Sequence, residues 1–324
     1  MKNTSTQNKS LGSQNIIPVI AILGAVFLWG SAFAAMKHLV NTLNPWAVMW
    51  LRTSIATLAL APFTSRFAGT VKKGKDRKAL ALLAFLMPCL YFLCESHALT
   101  YTSATQAGLI SASLPLMVAV GAGIFFKEKT TRAGWFGLAL SIVGVGALTL
   151  TGNPSENASN PALGNIMELG AMVSAAGYML LVKRLSANYG PWTLTAVQNA
   201  AGAIFFLPGL YLLIRDGIGP DPLTILIVAG YLGAFVTLGA FGLYNVGMSK
   251  LPAGKASAFI NLVPAIAAFF GWIILGETLT IPQMFASLVI FAGVWLAQRG
   301  DKIDWSKGPF HSLFKTSTKQ KSAH

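Results

Sequence analysis

Residues 23–62, LGAVFLWGSAFAAMKHLVNTLNPWAVMWLRTSIATLALAP, recur in weakened form 146 positions further along the chain. Leu23-Gly24-Ala25 falls on Leu169-Gly170-Ala171, Lys37 on Lys183, Pro45-Trp46 on Pro191-Trp192 and Pro62 on Pro208. Residues 92–145 recur at an offset of 149: Phe92 falls on Phe241, Ala104 on Ala253, Pro115 on Pro264, Glu128 on Glu277, Thr131 on Thr280 and Gly144-Val145 on Gly293-Val294. Coincidences of Ala and Leu are cheap in an apolar chain; those of Pro, Trp and Glu are not. The change of offset fits an insertion in one loop. Each copy contains five apolar stretches, and an odd number plants the second copy upside down relative to the first. Inverted repeats around a midplane site are the architecture of secondary transporters.

Hydrophobic residues make up 54% of the 324 and charged residues 10%, with a mean hydropathy of +0.61. A soluble domain carries about 25% charged residues, so the expected fold is an all-α integral membrane protein whose surrounding solvent is lipid. A membrane helix needs about 20 mostly apolar residues. Ten stretches qualify, near 16–36, 45–63, 79–98, 102–126, 133–150, 162–182, 191–214, 222–248, 253–275 and 281–298. The expected organisation is a cytoplasmic tail (1–15), a first five-helix repeat (16–150), an external turn-rich linker (151–161), a second five-helix repeat (162–298) and a basic cytoplasmic tail (299–324). The small residues Ser31 to Ala35 imitate a signal-peptidase site. The repeat pairs that run with a helix deep in the chain, so it is kept as the first span.

The net charge of +14 would suggest nucleic acid in a soluble protein. Here 21 of the 24 basic residues fall in tails and loops on one side, leaving Lys37 and Arg215 on the other and Arg52 within a span. The charge therefore reads as a topology determinant, with both termini cytoplasmic in a multi-pass protein of the cell (inner) membrane and no nucleic-acid partner. Cys89 and Cys94 lie five apart on one expected helix, too far around it to pair, and read as small packing residues.

An ionisable side chain at membrane depth is costly and by default marks a pathway or a proton relay. Three occur: Arg52, Glu95 and Glu168, all toward the outer half of their spans in this topology. Their repeat partners are Gln198, Tyr244 and Ile22, so the charge is not duplicated at the inner end. Arg52 is a candidate to hold a substrate carboxylate through its planar fork, and Glu95 to bind a substrate ammonium or to cycle a proton, with Glu168 a second proton-coupling candidate. A static Arg52–Glu95 pair that only locks helices is the alternative. Tyr91 stands one turn before Glu95 on the same face. Trp29 can stack on an apolar substrate or simply pack. Ser111 precedes Pro115, and Asn261 precedes Pro264 at the matching place of the other repeat. A mid-span proline removes a backbone hydrogen bond, and paired interrupted helices point to a binding site; kinks needed only for packing are the alternative. Gln198, Asn199, Tyr244 and Asn245 are candidates for the inner mouth. Glu128 and Glu277 stand at span ends and read as solvated or paired.

Trp29-Gly30-Ser31, the turn Ala98-Leu99-Thr100-Tyr101-Thr102-Ser103-Ala104, and the repeat ends Phe126-Lys127-Glu128-Lys129-Thr130 and Leu275-Gly276-Glu277-Thr278-Leu279 resemble the signatures of the drug/metabolite transporter superfamily, in its branch with two EamA repeats. The resemblance spans about 16–299. It implies a ten-helix exporter of small metabolites, such as amino acids or related solutes, and leaves the substrate open. An exporter of cationic drugs and a carrier of nucleotide sugars or phosphorylated metabolites are the alternatives within the class; a channel or a membrane-embedded enzyme lies outside it. The sequence contains no Gly-x-x-x-x-Gly-Lys-Ser/Thr loop, no His-Glu-x-x-His helix and no Gly-x-Ser-x-Gly elbow. The expectation is a non-enzyme without cofactor or metal, whose partners are a small-molecule substrate, the lipid bilayer and, as a coupling ion, protons.

Overall fold

The computed structural model describes residues 16–66, 76–126, 132–152, 154–155, 158–250 and 259–299. Both tails, most of the basic 64–78 loop, Glu128, the beginning of the expected ninth stretch and the side chain of Asn245 lie outside the described residues. What is described is helical, apart from one bridge between Ser155 and Ala158. In chain order the helices are α1 (Ile16–Val40), α2 (Pro45–Leu60), α3 (Arg77–Ala84, Phe85–Leu90 and Tyr91–Tyr101), α4 (Ala104–Ser111 and Leu114–Phe126) and α5 (Arg132–Leu150). The second copy supplies α6 (Pro161–Leu185), α7 (Pro191–Phe205 and Pro208–Asp216), α8 (Pro222–Gly230, Tyr231–Ala240 and Phe241–Lys250), α9 (Val263–Leu275) and α10 (Ile281–Arg299). Among the described residues seven helices are long and apolar enough to cross a membrane. The α7 pair, bent by 52°, makes an eighth when counted as one span, and two shorter apolar helices, Val263–Leu275 and Ile281–Leu296, follow. The expected ten spans are compatible with this set.

The ends are written in local chemistry. Proline occupies the first turn of α2, α6, α7 and α8, where its missing N–H costs nothing. Side chains of Asn44, Ser103, Asn160 and Asp221 accept hydrogen bonds from the orphan amides of Trp46, Gln106, Leu163 and Thr224. Gly276 closes α9 with φ +65°, a left-handed conformation that glycine adopts without steric cost.

The packing has a hidden symmetry. α1 packs on α8 and α9, while α6 packs on α3 and α4; α2 packs on α7, α4 on α9 and α5 on α10; α2 meets α8 and α7 meets α3. Exchanging the first five helices with the second five returns the same set of pairs. The irregularities obey the same exchange. The backbone widens to i→i+5 hydrogen bonding at Phe85–Leu90 in α3 and at Tyr231–Ala240 in α8. α4 is broken at Ala112–Ser113, and the corresponding turn at Asn261–Leu262 precedes α9. Two copies of a five-helix unit thus face each other, and large apolar side chains such as Leu150, Ile204 and Phe125 stand on the periphery, where a bilayer takes the place of a core.

α5 and α10 form the tightest pair, and glycine is the reason. A Cβ on Gly144 would stand 2.7 Å from Ile290 Cγ1 and 2.8 Å from the Ile290 amide nitrogen; one on Gly293 would stand 2.6 Å from the Gly137 carbonyl oxygen and 2.7 Å from the Ser141 nitrogen. Small residues let membrane helices approach through backbone contact. Gly144→Val is expected to separate the pair at a cost of about 1–3 kcal/mol, read as a lower apparent Tm of the detergent-solubilised protein.

Candidate functional site

Pro88 stands in the middle of α3. It lacks an amide hydrogen, and the chain at Met87 turns extended, with φ −139° and ψ 118°. The carbonyls released from the helix ladder are answered from the other repeat: Ser174 Oγ on α6 donates to Leu86 O at 2.8 Å, and Gln198 Nε2 on α7 donates to Met87 O at 3.1 Å. The break opens room between the two five-helix units, and a cavity lies there.

One part of its wall is polar. Arg52, on α2, is buried; its Nε donates to Thr237 Oγ1 on α8 at 2.7 Å, and the guanidinium carbon lies 4.2 Å from the centre of the Phe92 ring. Gly233 allows this approach, since a Cβ there would stand 2.8 Å from the Arg52 carbonyl oxygen. Glu95, on α3, accepts a 2.6 Å hydrogen bond at Oε1 from the Tyr91 hydroxyl. Arg52 Nη1 and Glu95 Oε2 are 3.7 Å apart, beyond hydrogen-bonding distance, and neither atom has a hydrogen-bond partner among the described residues. The two charges attract each other, yet each keeps an unused binding valence. The rest of the wall is apolar and polarisable: Trp29, Phe33, Phe92, Tyr178 and Phe241, with Met87, Met172 and Met179. A site of this kind suits a ligand with a small charged head and an apolar or aromatic body.

Of the residues singled out in the sequence, Trp29, Arg52, Tyr91, Glu95 and Ser111 line this cavity. Gln198 and Asn199 line a second, smaller one together with Thr195 and Thr237. The two cavities share Met87, Phe92 and Phe241 as a partition. Tyr244 lies behind the wall, with its ring 4.9 Å from that of Trp29. Asn261 sits in the turn before α9 with Oδ1 buried and unbonded, while its neighbours Ile260 and Val263 reach the cavity. Pro115 and Pro264 open the helical stretches that follow the two matching breaks. Glu168 is fully buried, at 0% exposure, but is not on the wall; it lies within electrostatic reach of Glu95, Tyr91 and Cys94. The Met side chains, Phe33, Tyr178 and Thr237 carry no distinguishing sequence signal. Pro88 does carry one, since it interrupts its stretch as plainly as Pro115 does.

A second polar constellation was not anticipated. The Lys37 ammonium is 1% exposed and donates to the carbonyls of Leu99 at 2.6 Å and Thr102 at 3.1 Å, at the end of α3. Glu277, expected as a solvated or paired span end, is buried, and its carboxylate accepts the amides of Ala104 and Thr105, both at 2.8 Å, at the start of α4. A cation therefore meets the negative end of one helix and an anion the positive end of the next. Beside them Thr102 Oγ1 donates to Asn165 Oδ1 at 2.7 Å, and Asn165 Nδ2 donates to Gln106 Oε1 at 3.0 Å. The turn between α3 and α4 is thereby clasped from α1, α6 and the end of α9.

Comparison with known proteins agrees with this architecture. The chain is 24% identical over 286 residues to the transporter YetK of Bacillus subtilis, covering 86% of this chain and 85% of that one. It is 28% identical over 285 residues to a transporter of Archaeoglobus fulgidus, covering 86% and 98%. It is also 24% identical over 281 residues to a probable terminal-alkyne amino-acid exporter of Streptantibioticus cattleyicolor, covering 87% and 93%. A solved crystal structure, 14% identical, shares the fold with a TM-score of 0.62 over 90% of this chain and 99% of its own. The EamA-like transporter family matches residues 16–150 and 162–298, the two five-helix halves that the packing exchanges. The chain belongs to the EamA-like transporter family, within the drug/metabolite transporter superfamily.

Proposed function

We propose that this transporter exports α-amino acids with apolar or aromatic side chains across the cell membrane, by alternating access around the Arg52–Glu95 cavity. The observation that carries this reading is the pair of unused valences, Arg52 Nη1 and Glu95 Oε2, 3.7 Å apart on an otherwise aromatic and methionine-rich wall. A zwitterion answers both from the cavity side: its carboxylate takes the guanidinium, its ammonium takes Glu95. Hydrogen bonds to charged groups contribute about 1.5–3 kcal/mol each, and the side chain lies against Trp29, Phe33 and Phe241. A cationic drug would meet the Arg52 charge on the same wall. A phosphorylated metabolite would find Arg52 as the lone cation among the described lining residues. The amino-acid exporter among the relatives carries a substrate name of the favoured chemistry.

The basic residues orient the molecule with both termini in the cytoplasm, which puts the α3–α4 turn, with Lys37 and Glu277, on the outer side. In that orientation the clasped turn is the outer gate. The smaller cavity of Thr195, Gln198 and Asn199 then lies inward of the binding wall, on the route from the cytoplasm. Motion consists of the two five-helix units rocking against each other, driven by an ion or solute gradient, with protons as the coupling ion.

The test is counterflow of labelled L-phenylalanine in proteoliposomes. Saturable exchange is expected, competed by other apolar amino acids. Phenethylamine and 3-phenylpropanoate, which keep one charge each, should compete at least about tenfold more weakly, since one lost charged hydrogen bond is worth more than about 1.4 kcal/mol. Equal competition by phenethylamine would remove Arg52 from substrate binding; unsaturable flux would identify a channel. Trp29→Ala is expected to raise the half-saturation concentration roughly fivefold, as an aromatic contact contributes about 1 kcal/mol, with less effect on an aliphatic substrate than on phenylalanine.

A further inference from the structure

Glu168 is the buried charge for which substrate binding has no use. It lies two turns into α6, has no exposed surface, and neither of its carboxylate oxygens has a hydrogen-bond partner among the described residues. α6 packs against α3 and α4 and touches α5. α4, from Ala104 to Phe126, carries no titratable side chain, and α5 carries one, Arg132, at its first position. On α3 the groups within electrostatic reach are Glu95, Tyr91 and Cys94. Of the other titratable groups of α3, Arg77 and Lys78 lie at its far end, Cys89 lies in the widened segment, His97 holds its Nδ1 2.8 Å from Leu93 O, and Tyr101 is its last residue.

None of these neighbours neutralises Glu168. The Tyr91 hydroxyl has one proton, and it is given to Glu95. Arg52, the cation of the wall, faces Glu95 and is tied to Thr237. A second anionic carboxylate here would stand without a donor, without a counter-charge, and against the field of the first. Burying such a charge costs several kcal/mol even after relaxation, and binding a proton removes the cost.

We propose that Glu168 is a proton-binding site set apart from the substrate wall, occupied by a proton in the conformation described here and emptied when a cationic group docks at Glu95. Glu95 already has a partial counter-charge and a donor, so Glu168 is the carboxyl that changes its protonation during transport. A substrate ammonium at Glu95 cancels the opposing field of that carboxylate, and water entering as the cavity opens removes the remaining cost of burying the Glu168 anion. The proton leaves to the aqueous side to which the cavity then opens and returns from the opposite side once substrate has gone. Proton and substrate therefore occupy the protein alternately, which makes the cycle an exchange of inward protons for outward substrate. This exchange rests on the zwitterion reading above; the proton site itself does not.

Two measurements on the full-length protein decide it. In infrared difference spectra recorded over a pH titration of the purified protein, the wild type should show the C=O stretch of a buried carboxylic acid. Glu168→Gln should lose that band, while Glu95→Gln should retain it. In proteoliposomes, Glu168→Gln should still exchange labelled L-phenylalanine down its gradient but fail to concentrate it when a proton gradient is imposed. The glutamine is isosteric, and a monodisperse elution profile checks its folding. The proposal falls if the band is missing from the wild type, if it survives in Glu168→Gln, or if that variant still concentrates phenylalanine against its gradient. A wild type that moves no phenylalanine would refute the substrate class instead, and the infrared result would then decide Glu168 alone.

Discussion

Arg52→Ala is expected to abolish saturable transport and to lower the Tm of the purified protein. The substitution removes the group that would hold the substrate carboxylate and leaves Glu95 buried with Tyr91 as its only partner. Removing one member of a buried ion pair costs about 3–5 kcal/mol. The lower end applies here, because the 3.7 Å separation is loose and Tyr91 continues to donate to Glu95. Arg52→Lys separates the two effects. It preserves the charge opposite Glu95, so the Tm should fall little. It loses the Nε bond to Thr237 and the flat face against Phe92, and with them the forked geometry that grips a carboxylate. The half-saturation concentration for phenylalanine should rise at least about tenfold, equivalent to about 1.4 kcal/mol. Unchanged affinity in Arg52→Lys would exclude a two-pronged carboxylate clamp.

The second large effect belongs to Glu277. Its carboxylate satisfies two amides at the start of α4, each through a charge-assisted bond of 2.8 Å. Such bonds contribute about 1.5–3 kcal/mol each, so Glu277→Ala is expected to cost about 3–5 kcal/mol and to produce the steepest loss of Tm among single substitutions at that end. Glu277→Gln, which keeps one acceptor oxygen and loses the charge, should lose roughly half as much. If the clasped turn is the outer gate, the alanine variant should also label faster with a membrane-impermeant maleimide at an introduced Ser103→Cys, in a background lacking Cys89 and Cys94. An unaltered Tm would show that Lys37 and the Thr102–Asn165–Gln106 bonds hold the turn without Glu277.

Lys37 and Glu277 also show where sequence reading stops. A charged residue at the end of an apolar stretch looks solvated, because a helix end in a bilayer normally meets water and headgroups. Both are buried, because a different helix end, the α3–α4 turn, comes to them and offers carbonyls to one and amides to the other. The partners are 62 and 173 residues distant in the chain, and nothing local announces them. Glu168 and Glu95 illustrate the same limit. Both read as intramembrane carboxylates of one kind, and they differ in that a tyrosine donor and an arginine reach only one of them.

Repeat matches, hydropathy and helix-terminus chemistry were sufficient, from the chain alone, for the all-helical membrane class and the internal duplication. These are properties of neighbours in sequence, written in proline, asparagine and apolar run length. Which side of each helix faces the cavity was decided only by the tertiary structure. In a membrane the outer face of a helix is as apolar as the inner one, so no amphipathic stripe marks the interior. Only the packing of the two halves across their shared axis brought Arg52 to Thr237 and Glu95, sent Tyr244 behind Trp29, and left Glu168 buried without a counter-charge.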